Sequence, residues 1–142
     1  MNLILRPAAR DDVPALLEIE RLSFSHPRWR AADFLKDRCV VAACDGRVAG
    51  FLVVRELFPG DTTSRAECEI LNIATHPDFR RVGVASLLLK SELASGAIYF
   101  LEVRESNLPA QKLYRKLGFH EISRRPKYYS HPAETAIVMQ MK

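Results

Sequence analysis

Apolar positions along the chain fall into two spacings, and the switch between them sets out the elements. Leu3 to Leu5 opens a short strand. Asp11 reads as a helix N-cap with Pro14 in the first turn, and Val13, Leu16, Leu17, Ile19 and Glu20 follow helical spacing as far as Leu22. Ser25 to Arg30 reads as a loop, and a short helix is expected over Ala31 to Lys36. Val40 to Ala43 and Val48 to Arg55 are β-rich runs joined at Asp45-Gly46, a strong hairpin signal. After a polar loop at Pro59 to Ser64, Glu67 to Thr75 reads as a strand that His76-Pro77 ends. A helix over Val82 to Leu93, a strand over Ala97 to Val103 and a helix over Pro109 to Leu117, stopped by Gly118, come next. Phe119 to Tyr129 and Thr135 to Met141 read as a closing antiparallel pair.

The middle strand–helix–strand unit predicts a parallel pair, because a helical connection returns the chain in the same direction. The flanking hairpins predict antiparallel neighbours. The expected fold class is therefore α/β (α+β): a mixed, mostly antiparallel sheet with helices on both faces.

Composition narrows the function without naming it. The 142 residues suit one domain spanning 1–142, with 48% hydrophobic and 27% charged residues. No apolar run is long enough to span a bilayer, and neither a signal-peptide plan nor a lipidation motif is visible, so a cytoplasmic protein with no membrane partner is expected. The three cysteines, Cys39, Cys44 and Cys68, form no CxxC pair and read as small buried hydrophobes. The four histidines have no metal-ligand spacing, so no metal is expected. A net charge of +4 suits an anionic cofactor or an acidic partner, yet no nucleic-acid motif accompanies it.

The most informative stretch is Arg80-Arg81-Val82-Gly83-Val84-Ala85, which follows a strand and opens a helix. Unpaired N–H groups and a partial positive charge at a helix start suit a phosphate, and Gly83 allows close backbone approach. Taken generically, one glycine beside two arginines could equally be a solvated helix start. The complete Walker and dinucleotide patterns are both missing.

Arg80-x-x-Gly83-x-Ala85 resembles the pyrophosphate-binding [Q/R]-x-x-G-x-[G/A] motif of the GCN5-related N-acetyltransferases (GNAT). The preceding Asn72-Ile73-Ala74-Thr75-His76-Pro77 resembles that family's central strand. The resemblance implies a central parallel pair that splays, and acetyl-CoA as cosubstrate. It matches Ile73, Ala74 and Thr75 to the strand backbone beside the pantetheine arm. It matches Arg81, Val82, Gly83, Val84, Ala85 and Ser86 to the pyrophosphate loop, with Arg80 opening the motif.

Two side chains invite chemistry. Strand alternation puts Ile98, Phe100 and Glu102 on one face, so Glu102 ends an otherwise apolar row near the C-terminal end of a parallel strand. Such a carboxylate is either ion-paired, with Arg104 or another cation, or is a partly buried group able to act as a general base with a raised pKa. On the next helix, Ala110, Leu113, Tyr114 and Leu117 share a face, so Tyr114 points inward with a hydroxyl in need of a partner. Asn107, just before Pro109, sits at or beside that helix's cap.

The runs Leu101-Glu102-Val103-Arg104-Glu105-Ser106-Asn107 and Leu113-Tyr114-Arg115-Lys116-Leu117-Gly118-Phe119 resemble the RimI-like branch, which acetylates the N-terminal alanine of a ribosomal protein. So do Arg6-Pro7-Ala8 with Asp11-Asp12-Val13-Pro14, and Tyr128-Tyr129 with Ala136 to Met139. The resemblance implies that Glu102 is the proton acceptor, Tyr114 the proton donor and Asn107 a cofactor contact. It implies a protein or peptide N-terminus, such as a ribosomal protein's, as partner. The stretch between Gly83 and Glu102 is shorter than the resemblance leads one to expect, so the helix there should be reduced by about one turn, ~3.6 residues.

Other readings are an acetyltransferase for lysine or a small amine, a non-catalytic acyl-CoA-binding module, and a basic adaptor for ribosomal RNA. No dense acidic cluster marks a small-amine pocket. The pairing of Glu102 with Tyr114 argues against a module without catalysis, and no aromatic-basic surface signal supports RNA. Trp29, Tyr128 and Tyr129 are candidate walls of an acceptor groove, or alternatively core aromatics.

Overall fold

The computed structural model describes residues 2–24 and 27–142, so Ser25 and His26, the start of the expected loop, lie outside the described residues. Among the described residues, seven strands, β1 (Leu3–Pro7), β2 (Arg38–Cys44), β3 (Arg47–Phe58), β4 (Glu67–Thr75), β5 (Ile98–Arg104), β6 (His120–Ser130) and β7 (Ala133–Met141), form a mixed sheet in the order β1-β2-β3-β4-β5-β7-β6. The described residues also form the α-helices α1 (Val13–Ser23), α2 (Ala31–Lys36), α3 (Val84–Leu93) and α4 (Leu108–Lys116). Two compact units divide the chain, Met1–Arg55 with Leu71–Glu92 and Glu56–Ile70 with Leu93–Lys142.

In the first unit, β1 runs antiparallel to β2, and β2 to β3. The expected two-residue hairpin forms: Asp45 and Gly46 take φ of 49° and 81°, the paired positive values that a right-twisted hairpin turn requires. A bulge follows, since Ala42 faces Gly50 while Ala43 faces Val48. The carbonyl of the extra residue, Ala49, accepts the His76 N–H at 2.8 Å.

One face of this unit is closed by α1 and α2, whose Leu16, Ile19 and Phe34 pack with Val41, Phe51 and Val53. Full burial of each such side chain stabilises by about 1.5–3 kcal/mol. Helix α3 covers the opposite face. Gly50 alternates with Phe51, and a methyl group placed on it would lie 2.8 Å from Val84 Cγ1 and 2.8 Å from the Ala74 carbonyl oxygen. Helices on both faces, as expected, follow from that alternation. Glu20, which shares the apolar stripe of α1, is buried and accepts a 2.9 Å hydrogen bond from Asn72 Nδ2 on β4.

Asp11 is not the N-cap of α1. It lies inside a 3-10 turn, Arg10–Asp12, and the capping position falls to Asp12. Asp12 directs its carboxylate backwards, accepting from Ala9 N at 2.7 Å and from both terminal nitrogens of Arg6. The adjacent Arg6 guanidinium, the largest influence, holds the Asp12 carboxyl below the usual carboxylate range.

In the second unit, the parallel register runs over Glu67 to Glu69 against Ile98 to Phe100 and ends there. The final strand, β7, pairs antiparallel with both β5 and β6, so it lies inside the sheet rather than beyond a terminal hairpin. Helix α4 begins at Leu108, one residue before the expected start, because Asn107 Oδ1 caps it by accepting from Ala110 N at 3.2 Å. All three cysteines are buried, as expected, and burial pushes the Cys39 thiol up to about 12.

Candidate functional site

The first unit gathers the residues expected to hold a phosphorylated ligand. Strand β4 carries Ile73, Ala74 and Thr75, of which Ala74 is buried under the α1 side of the core. A 3-10 turn, Pro77–Phe79, then reverses the chain; His76 Nδ1 accepts from Asp78 N at 3.0 Å and fixes its start. Arg80, Arg81, Val82 and Gly83 follow as an exposed turn.

Helix α3 starts at Val84, two residues later than the spacing suggests. The reason is conformational: Arg81 and Gly83 have φ of 66° and 83°, so neither can continue a right-handed helix. Gly83 is open to solvent on the side where a Cβ would stand, so its glycine serves the backbone angle and not packing. Its carbonyl accepts the Leu87 N–H at 2.9 Å, which makes Gly83 the first residue to bond into the helix. Alternating backbone conformations ahead of a helix N-terminus turn successive N–H groups toward one concavity, the arrangement that binds anions. Arg80 and Arg81 add exposed positive charge there. The donor set fits a pyrophosphate.

The second unit holds Glu102, Asn107 and Tyr114. Glu102 stands with Ile98 and Phe100 on the less buried face of β5, and its side chain is 17% exposed. Arg125 Nη1 on β6 donates to Glu102 Oε1 at 3.0 Å. The cation is thus Arg125 and not Arg104, which is committed elsewhere: it binds Glu134 at 3.2 Å, the carbonyls of His131 and Pro132, and the Tyr129 ring at 4.2 Å. The other oxygen, Glu102 Oε2, is buried and accepts no hydrogen bond among the described residues. Leaving a buried acceptor unmet costs about 1–3 kcal/mol, which marks a place where a donor is wanted.

Two phenols stand near this carboxylate. Burial first, and then the charge of Glu102, push Tyr129 up to about 12 and raise Tyr128. Both therefore stay neutral donors at physiological pH. The Tyr128 and Tyr129 rings meet edge-on at 5.1 Å, with Tyr128 about half exposed. Trp29, the third candidate wall, instead packs on Phe34 at 5.0 Å and belongs to the core around α2.

Tyr114 is buried on α4 and meets Phe119 at 5.8 Å. Burial pushes its phenol up to about 12, so it keeps its proton. Asn107 spends its carbonyl oxygen on the helix cap, leaving the amide nitrogen as a donor.

Residues that alternation and spacing alone do not single out fix this segment. Buried Gln111 donates to the carbonyls of Arg104 and Glu105, at 3.1 and 2.8 Å. Glu134 accepts from Ser106 N and Glu105 N donates to Thr135 O. Together with the Asn107 cap these bonds tie the end of β5 to α4 and to the β6–β7 turn.

The family model described as the acetyltransferase (GNAT) family matches residues 10–119. The chain belongs to the GNAT family of acetyltransferases. It is 32% identical to a [ribosomal protein bS18]-alanine N-acetyltransferase of Salmonella typhimurium, the match covering 92% of this chain and 90% of that one. It is 30% identical to an N-alpha-acetyltransferase of Sulfurisphaera tokodaii, over 89% of this chain and 85% of the relative. The crystal structure of the ribosomal-protein-S18-alanine N-acetyltransferase from Escherichia coli superposes with a TM-score of 0.83 at 28% identity, over 99% and 93% of the two chains. The mixed sheet with its parallel pair is the GNAT fold, and the RimI-like resemblance stands with it. The protein is an N-acetyltransferase. Among the described residues no group of acids, histidines and cysteines could hold a metal, and no helix is long and apolar enough to cross a membrane.

Proposed function

We propose that residues 1–142 act as one cytoplasmic catalytic domain that acetylates the α-amino group of a protein N-terminus, with an alanine-initiated ribosomal protein as the favoured acceptor. The observation that carries this reading is Glu102: a sheltered carboxylate with one oxygen anchored and the other unmet. The names of the relatives, which include alanine and α-amino acetyltransferases, support the acceptor class.

Acetyl-CoA supplies the acetyl group as an activated thioester. The backbone of Arg81 to Ser86, with Arg80 and Arg81, would hold its pyrophosphate, and Ile73, Ala74 and Thr75 its pantetheine arm. Asn107 would add a contact through its amide nitrogen. Glu102 accepts a proton from the acceptor nitrogen as the N–C bond forms. Tyr114 gives its proton to the sulfur as the C–S bond breaks; the proton on Glu102 then returns to solvent and the Tyr114 phenolate takes one back, which restores both groups. An α-amino group has a pKa of about 7.7–8.0 against about 10.4 for lysine, so a modest base suffices for the former. No step needs a covalent enzyme intermediate, which leaves the buried cysteines without a catalytic role.

The test is intact-mass detection of acetyl transfer in one mixture of an alanine-N-terminal peptide, an N-blocked lysine peptide and a polyamine. Mass gain on the free-terminus peptide alone is expected. Transfer only to lysine or the polyamine would overturn the acceptor, and binding of acetyl-CoA without transfer to any of them would favour a non-catalytic acyl-CoA module.

A further inference from the structure

The two oxygens of Glu102 are treated differently by the protein. Oε1 is held by Arg125 at 3.0 Å, whereas Oε2 is buried without a donor among the described residues. Arg125 is itself fixed on two sides, since its guanidinium also lies 4.4 Å from the centre of the Tyr128 ring. It remains 54% exposed, so the contact orients it without burying its charge. The neighbouring Arg124 is taken by Glu121 and Glu105, and Arg104 by Glu134. The phenols of Tyr128 and Tyr129, neutral at physiological pH, face the carboxylate from β6. After burial, Glu102 raises the pKa of the Tyr128 hydroxyl through charge and hydrogen bonding, and Glu69 of β4 also lies near enough to influence Tyr128.

We propose that Arg125 is a positioning residue that sets acceptor selectivity: it anchors Glu102 by one oxygen, reserves the other for the N–H of a neutral amine, and disfavours an arriving ammonium. The inference rests on the reading of Glu102 as proton acceptor. An unpaired, sheltered carboxylate attracts any cation, and a lysine ammonium would be trapped there as an unreactive ion pair. With the guanidinium already in place the carboxylate is compensated, and a second cation meets like charge at short range. The amine that enters best is one already neutral. At about pH 7.4 roughly a quarter of α-amino groups are neutral, against about one lysine in a thousand, from pKa values of about 7.7–8.0 and about 10.4. The ion pair thereby converts a difference in basicity into a preference for chain N-termini.

The experiment compares kcat/KM for an alanine-N-terminal peptide and an N-blocked lysine peptide in the wild type, Arg125→Gln and Arg125→Lys. Glu102→Gln runs in parallel, and acetyl-CoA-induced thermal shifts report the folding of each protein. Arg125→Gln is expected to narrow the ratio of the two substrates by about tenfold or more, mainly through a lower KM for lysine and a lower kcat for the α-amine. Arg125→Lys, which keeps the cation, is expected to restore most of the ratio. A structural role alone would lower both substrates together. An unchanged ratio in Arg125→Gln, with Glu102→Gln inactive, would overturn the role of Arg125 and leave the base assignment standing. Full turnover in Glu102→Gln would overturn both.

Discussion

At the scale of single residues, the proposed chemistry includes one side chain whose ionisation burial controls. That side chain is Tyr114. A phenolate inside the protein is disfavoured, so its pKa rises to about 12 and the hydroxyl stays protonated throughout the neutral and mildly basic range. In its proposed role as proton donor such a phenol contributes height to the pH–rate profile and no basic limb below about pH 10. Tyr114→Phe is therefore expected to lower kcat by about a hundredfold while the shape of the profile between about pH 6 and pH 9 stays the same. Steady-state rates across that range check it, and a basic limb that vanishes in the variant would mean that the phenol titrates there.

Both Glu102 and Asn107 were legible in the sequence, one because period-two alternation exposes a charged residue in an apolar row, the other because an asparagine ahead of a proline suits a helix cap. The partner of Glu102 was not. Arg125 lies 23 positions away on a strand whose register with β7 shifts twice, so no local pattern says which of Arg104, Arg124 or Arg125 reaches the carboxylate.

At the scale of elements, the turn into α3 depends on close backbone approach behind it. Gly50 on β3 leaves no room for a methyl group against the Ala74 carbonyl and Val84, the residue that begins the helix. Gly50→Ala is expected to weaken acetyl-CoA binding by about tenfold and to destabilise the fold by about 1–3 kcal/mol, since part of the clash is with backbone. Calorimetric titration and urea unfolding check the two halves. A stable variant with unchanged affinity would show that the position of α3 does not govern cofactor binding.

The two-residue difference at the start of α3 has a conformational origin. Helical spacing runs on through Val82, and only the left-handed angles at Arg81 and Gly83 interrupt it; an arginine gives no warning of such an angle. The Asp45-Gly46 hairpin, by contrast, was readable because both residue types favour the angles they adopt.

At the scale of the whole molecule, hairpins and the helical crossover fixed the strand directions, but not the order. Sequence adjacency pairs β6 with β7, whereas the insertion of β7 between β5 and β6 depends on long-range pairing of Tyr99 to Arg104 with Ala136 to Met141. That pairing also brings the β6–β7 turn to Arg104, and through Glu134 to the backbone of Ser106. The end of β5 is therefore held from three directions, which suits the fixed orientation that the proposed role of Glu102 requires.

Single-turnover acetylation of an alanine-N-terminal peptide by the wild type and Glu102→Gln, with acetyl-CoA affinity measured in parallel, tests the central claim most directly. A general base accounts for about 10²–10⁴-fold in rate, so the variant should lose turnover by that order while its affinity for acetyl-CoA stays within about twofold. Equal rates for the two proteins, at equal affinity, would contradict the claim that Glu102 takes the proton from the acceptor amine.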